Sequence, residues 1–134
     1  MAKDNKKIKI SFPHMGTISI VWAAALRKLG IEPFIPPYTN KRTLSLGTKY
    51  SPEAICLPYK LILGNFIEAV EGGADYVAMI TSPGICRLGE YGKTIEQTLG
   101  TLGYDAKYVE LSLYDGLTSY VRVNPFNCNP NVYL

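Results

Sequence analysis

One histidine, one tryptophan and three cysteines in 134 residues leave little room for several common chemistries. With His14 alone, neither a two-histidine metal site nor a histidine-based catalytic triad can be written within the chain. An odd number of cysteines gives no disulfide framework and points to free thiols or ligands in a reducing compartment. No Gly-x-Gly-x-x-Gly stretch and no Gly-x-x-x-x-Gly-Lys-Ser/Thr loop occurs, so the standard dinucleotide and phosphate-loop readings fail on their own motifs. A bilayer span needs about 18 apolar residues in a row, and no run is that long. The basic start is not followed by an apolar stretch of signal-peptide length. The expectation is a cytoplasmic protein with no membrane association.

Charge of one sign is also scarce. The formal net charge is +3, and Lys3, Lys6, Lys7 and Lys9 against Asp4 account for all of it. Beyond residue 9 basic and acidic residues balance, so the globular part carries no electrostatic footprint for nucleic acid.

What is present is a unit that recurs three times: a helical stretch, a glycine, then a short β-rich run. It reads Ala24–Gly30 into Ile31–Ile35, Ile67–Gly73 into Tyr76–Ile80, and Thr98–Gly103 into Lys107–Leu111. Each glycine suits the left-handed residue just past a helix end. An opening strand at Ile8–Phe12 makes the pattern βαβαβαβ. Periodicity places Ile18, Val21, Ala25 and Leu29 on the core face of the first helix, and Ile62, Phe66, Ala69 and Val70 on that of the second. Ile95, Leu99 and Leu102 do the same in the third. Tyr76-Val77-Ala78-Met79-Ile80 is apolar throughout, as a strand buried on both faces would be.

The fold expected is α/β: a Rossmann-like three-layer sandwich on a four-stranded, mainly parallel sheet of order 2-1-3-4. Its parts are a basic tail at 1–7, an α/β domain at 8–115 and an irregular C-terminal extension at 116–134, the last either packed or the start of a larger protein. In the long link from Pro36 to Cys56, Lys41–Gly47 is expected to make one or two helical turns after an Asn40 cap.

Loops leaving the carboxyl ends of parallel strands converge on one edge, and the residues that could carry chemistry fall there. Pro58 marks the first turn of a helix at 58–71, which puts Cys56 at its N-terminus, where free amides and the helix dipole favour thiolate. Cys86 follows the third strand among Gly84, Gly89 and Gly92, glycines that allow close approach of backbone to a ligand. Composition leaves two readings of the pair open: buried small hydrophobes, or ligands at a shared rim. His14 lies in the first loop at the same edge, as a site residue or as a neutral ring capping loop carbonyls. Arg87 could hold a carboxylate or phosphate by its fork, or pair with Glu90 at the surface. Lys41, Arg42 and Lys49 could meet ligand phosphates or simply be solvated. Tyr38, Tyr50, Tyr59 and Tyr91 lie in or beside the converging loops.

Several motifs resemble a known family. Phe12-Pro13-His14-Met15-Gly16, Pro36-Pro37, Lys41–Gly47, Ala54-Ile55-Cys56-Leu57-Pro58-Tyr59-Lys60, Gly64-Asn65 and Gly84-Ile85-Cys86-Arg87-Leu88-Gly89 with Tyr91 carry the likeness. They look like the amino-terminal region of CoA-substrate-specific enzyme activases, or acyl-CoA dehydratase activase-related proteins. These are relatives of the cluster-binding subunits of 2-hydroxyacyl-CoA dehydratase and benzoyl-CoA reductase. The resemblance implies that Cys56 and Cys86 are ligands of a [4Fe–4S] cluster that passes low-potential electrons in acyl-CoA chemistry. From their place in the converging loops, His14, Gly84, Arg87 and Gly89 are expected as cofactor-binding residues beside those ligands. The partners implied are an acyl-CoA ligand, an actin-like ATPase activator or a missing second domain, with a homo-oligomer as another arrangement. Family members are usually longer, and a cluster takes three or four cysteines. Cys128 is the remaining thiol here, and its Asn/Pro-rich surroundings do not match the family pattern. The competing expectation is a non-catalytic module for a small ligand or protein assembly, with structural cysteines. On either reading the isolated chain is not expected to turn over substrate.

Overall fold

A computed structural model describes residues 7–81 and 86–112. The elements run β1 (Lys9–Ser11), α1 (Ile18–Lys28), β2 (Glu32–Phe34), α2 (Lys41–Tyr50), α3 (Leu57–Glu71) and β3 (Tyr76–Thr81). A short 3-10 turn (Arg87–Glu90), α4 (Tyr91–Thr101) and β4 (Lys107–Ser112) complete them. The tail up to Lys6, Gly84, the expected extension at 116–134 and Cys128 lie outside the described residues.

All four strands are parallel, in the order β2-β1-β3-β4 expected from right-handed crossovers. Pro33 stands opposite Ile10 in β2, and because β2 pairs with β1 alone, the missing N–H costs no central ladder bond. Alternation along β3 separates two cores. Val77 and Met79 join α3 and α4 through Leu63, Phe66, Ile67, Ile95 and Leu99 on one face of the sheet. On the other, Ala78 joins Ile10, Phe12 and Val109 beneath Ala23 and Leu26 of α1.

The three repeated helix ends are built alike. Gly30, Gly73 and Gly103 have φ of 76°, 94° and 82°. In each, the residue after the glycine donates its N–H to the carbonyl five positions back: Ile31 to Leu26, Ala74 to Ala69 and Tyr104 to Leu99, all at 3.0 Å. This double-bonded cap satisfies the last carbonyls and turns the chain into the next strand.

Two expectations are corrected. Val21, Ala25 and Leu29 do not face the core: all three are exposed, Val21 by 66% and Leu29 by 45%, and α1 buries Ala23 and Leu26 instead. Because Ile18–Leu26 is apolar almost all round, periodicity offers more than one stripe, and the crossover geometry chooses between them. The link after Pro36 holds a full ten-residue helix where one or two turns were expected. The Asn40 side chain accepts from Arg42 N–H at 2.7 Å and Thr43 N–H at 3.3 Å, while Thr43 Oγ1 accepts from Asn40 N–H at 3.2 Å. That reciprocal cap starts α2.

Helices α2 and α3 form an antiparallel hairpin at unusually close range. A Cβ on Gly47 would overlap the carbonyl oxygen of Lys60, and one on Gly64 would overlap that of Thr43. Glycine at both places lets the backbones touch. Beside this contact the buried Thr43 hydroxyl donates to Glu68 Oε2 at 2.7 Å, and Arg42 bridges Glu68 at 3.4 Å and Glu71 at 2.8 Å. A buried carboxylate is thereby paired and hydrogen-bonded. The hairpin fixes where α3 begins, and hence where Cys56 stands.

Candidate functional site

Four parallel strands send their carboxyl ends to one edge, and three helical N-termini open there. Cys56 is the N-cap residue of α3, in extended conformation (φ −65°, ψ 154°), with Pro58 in the first turn as expected. Cys86 is the N-cap of the 3-10 turn that leads into α4. Both thiols are free and exposed, so neither is the buried small hydrophobe that composition allowed.

Tyr91 lies beside the first of them. It is the first residue of α4, its ring is buried, and it packs edge-on against Tyr59 of α3 with ring centres 5.0 Å apart at 89°. Its hydroxyl reaches the rim and meets the Cys56 sulfur in a close hydrogen bond. Either atom can donate while the sulfur is a thiol; once it is a thiolate the phenol O–H is the donor, and this contact is the largest cause holding the Cys56 thiol below the ordinary range. The sulfur makes no full N-cap bond, yet the N–H groups of Tyr59 and Cys56 also favour the anion, as does the Arg87 guanidinium. The same hydrogen bond pushes the Tyr91 phenol up to about 12, and Cys86 lies near enough for its negative charge to add to that shift. Cys56, Cys86 and Arg87 therefore act on one hydroxyl from α3 and from the β3–α4 connection.

The remaining expected residues fall as follows. His14 is half-buried: its N–H donates to Asn65 Oδ1 at 3.2 Å, and its Nε2–H donates to the Pro36 carbonyl at 2.8 Å. Its ring stacks on Tyr38, with centres 5.1 Å apart at 18°. These contacts tie the β1–α1 loop to the β2–α2 loop and to α3. Gly89 lies inside the 3-10 turn, its N–H aimed at the Cys86 carbonyl at 3.5 Å, and Arg87 is exposed. Gly84 is outside the described residues. Arg42 is taken by Glu68 and Glu71, far down α3 from Cys56, so it is no rim phosphate ligand. Lys49 lies over the Tyr50 ring at 4.9 Å.

Sequence reasoning missed the donor role of Tyr91. Its place five residues after Cys86 was visible, but the partner belongs to another helix, 35 positions away. Also unforeseen are the buried Tyr59 hydroxyl and Asn65 Nδ2, which have no hydrogen-bond partner.

Chemically, the rim offers two exposed soft donors, one of them favoured as thiolate, beside amide N–H groups and a cation. Among the described residues no three His, Cys, Asp or Glu side chains come together as a metal site. Two thiols are fewer than the three or four that an iron–sulfur cluster takes, so a cluster held here would draw ligands from beyond the described residues. No described helix is long and apolar enough to cross a membrane.

A family model described as CoA enzyme activase uncharacterised domain matches residues 14–94, a stretch that includes His14, Cys56, Cys86, Arg87 and Tyr91. No curated protein and no solved structure matches the chain.

Proposed function

From the premise that this chain belongs to the CoA enzyme activase-related domain family, we propose that it is an iron–sulfur binding module serving low-potential electron transfer to acyl-CoA chemistry. Cys56 and Cys86 supply two thiolate ligands of a [4Fe–4S] cluster. The observation that carries this reading is a pair of exposed thiols, each at the N-cap of a helical segment, one of them hydrogen-bonded to the Tyr91 hydroxyl. A cluster takes three or four thiolates, so a second chain or a further domain completes the set. When bound, the cluster would supply one-electron chemistry at low potential.

The chain's own residues have separate tasks. The N-terminal amides of α3 and the Arg87 guanidinium favour anionic sulfur at Cys56. His14, Gly84, Arg87 and Gly89 are the residues assigned to binding the cofactor, Gly84 from the sequence alone because it lies outside the described residues. His14 ties its own loop to Asn65 and Pro36. A reducing, cytoplasmic setting suits thiols left free for metal. The partners that fit are an acyl-CoA substrate, an actin-like ATPase that drives the electron, and the protein that brings the missing ligands.

Anaerobic reconstitution with iron, sulfide and an added small thiolate tests the proposal. The expected product is brown, with broad absorbance near ~400 nm and bound iron, both lost in Cys56→Ala and in Cys86→Ala. A colourless, iron-free product from fully reduced protein would contradict it and favour a non-catalytic assembly module.

A further inference from the structure

The Tyr91 hydroxyl is held more rigidly than a surface tyrosine would be. Its ring is buried and wedged edge-on against Tyr59. The next residue, Gly92, has its backbone so close to the Tyr108 ring that a Cβ there would overlap the phenol oxygen, which pins the start of α4 onto β4. Ile95 and Leu99, fully buried, anchor the rest of the helix in the core. The one polar atom of this fixed ring comes out at the rim on the Cys56 sulfur. Neighbouring Tyr59 offers a contrast, since its hydroxyl is buried and has no hydrogen-bond partner.

We propose that Tyr91 is a positioning residue for the thiol site: its O–H fixes the direction of the Cys56 side chain and donates to the sulfur both before and after that sulfur takes a metal. The role in the loaded state rests on the reading of Cys56 as a cluster ligand; the role in the free chain does not. Hydrogen bonds to ligand sulfurs are among the factors that set a cluster's potential, because they withdraw negative charge from it.

Tyr91→Phe in the full chain removes the donor and keeps the ring, and Tyr59→Phe serves as the control for loss of a buried hydroxyl. In the metal-free protein, iodoacetamide should alkylate Cys56 about fivefold more slowly in Tyr91→Phe, the scale of one hydrogen bond, with Cys86 unchanged. Tyr59→Phe should leave both rates as they were. Unchanged Cys56 alkylation in Tyr91→Phe, with the thermal midpoint preserved, would overturn the proposal whatever iron does. In reconstituted protein, Tyr91→Phe should shift the reduction potential to more negative values at equal iron content, and an identical potential would overturn the loaded-state role. Failure of the wild type to take up iron would sink the cluster reading while the alkylation result still judged Tyr91.

Discussion

At the scale of single residues, the account turns on Cys56 and the groups that face its sulfur. A thiolate is the reactive form, so a thiol held below the ordinary range reacts faster near neutral pH and loses that advantage as acid protonates it. The pH-rate profile of Cys56 alkylation, followed by mass spectrometry, should therefore have its midpoint below that of the unfolded chain. Tyr91→Phe should move the midpoint up. Tyr91, Tyr104 and Tyr108 all ionise above the ordinary phenol range, and spectrophotometric titration of Tyr91→Phe should lose the component at about 12 while the other two remain. Asn65→Ala removes the acceptor of the His14 N–H and should cost about 1–3 kcal/mol, measured by denaturant unfolding. The placement of Cys56 was legible because Pro58 marks a helix start and a cap residue precedes it. Its partner was not legible, because no local pattern says which phenol on another helix will reach a given sulfur.

At the scale of elements, the α2–α3 hairpin fixes the start of α3 on which Cys56 sits. Gly64→Ala and Gly47→Ala each force a methyl group into a facing carbonyl and should destabilise by about 3 kcal/mol, read as a fall in denaturant midpoint. Asn40→Ala should cost about 1 kcal/mol by removing the α2 cap. On α1 the contrary holds, and Val21→Lys should leave stability within about 0.5 kcal/mol, since that side chain points to solvent. The face of α4 could be read in advance because polar residues interrupt it, whereas α3 is buried on nearly every side from Ile62 to Ala69, Asn65 and Glu68 included, so the expected stripe held only part of its core. In α1 almost no polar residue interrupts the apolar run, so a stripe of the right period was drawn on the wrong side. The length of α2 escaped for a related reason: Gly47 in mid-helix reads as a stop signal, whereas it serves the close approach to Lys60.

At the scale of the whole molecule, chain order and handedness decided most of the outcome. Three helix–glycine–strand units joined by right-handed crossovers allow few arrangements, and the order β2-β1-β3-β4 could be read from connectivity alone. Parallel strands then oblige the β3–α4 connection with Cys86 onto the carboxyl edge, and the α2–α3 hairpin fixes the start of α3, where Cys56 meets the Tyr91 hydroxyl. What connectivity could not supply is a complete ligand set for the proposed cluster: among the described residues no three candidate ligands come together. The central claim is that these two thiols act together on one cluster. Native mass spectrometry of the anaerobically reconstituted chain tests it most directly. The account predicts an added mass of one [4Fe–4S] unit, absent when either Cys56 or Cys86 is replaced by alanine; a cluster retained in either variant, or no added mass on the wild type, would contradict it.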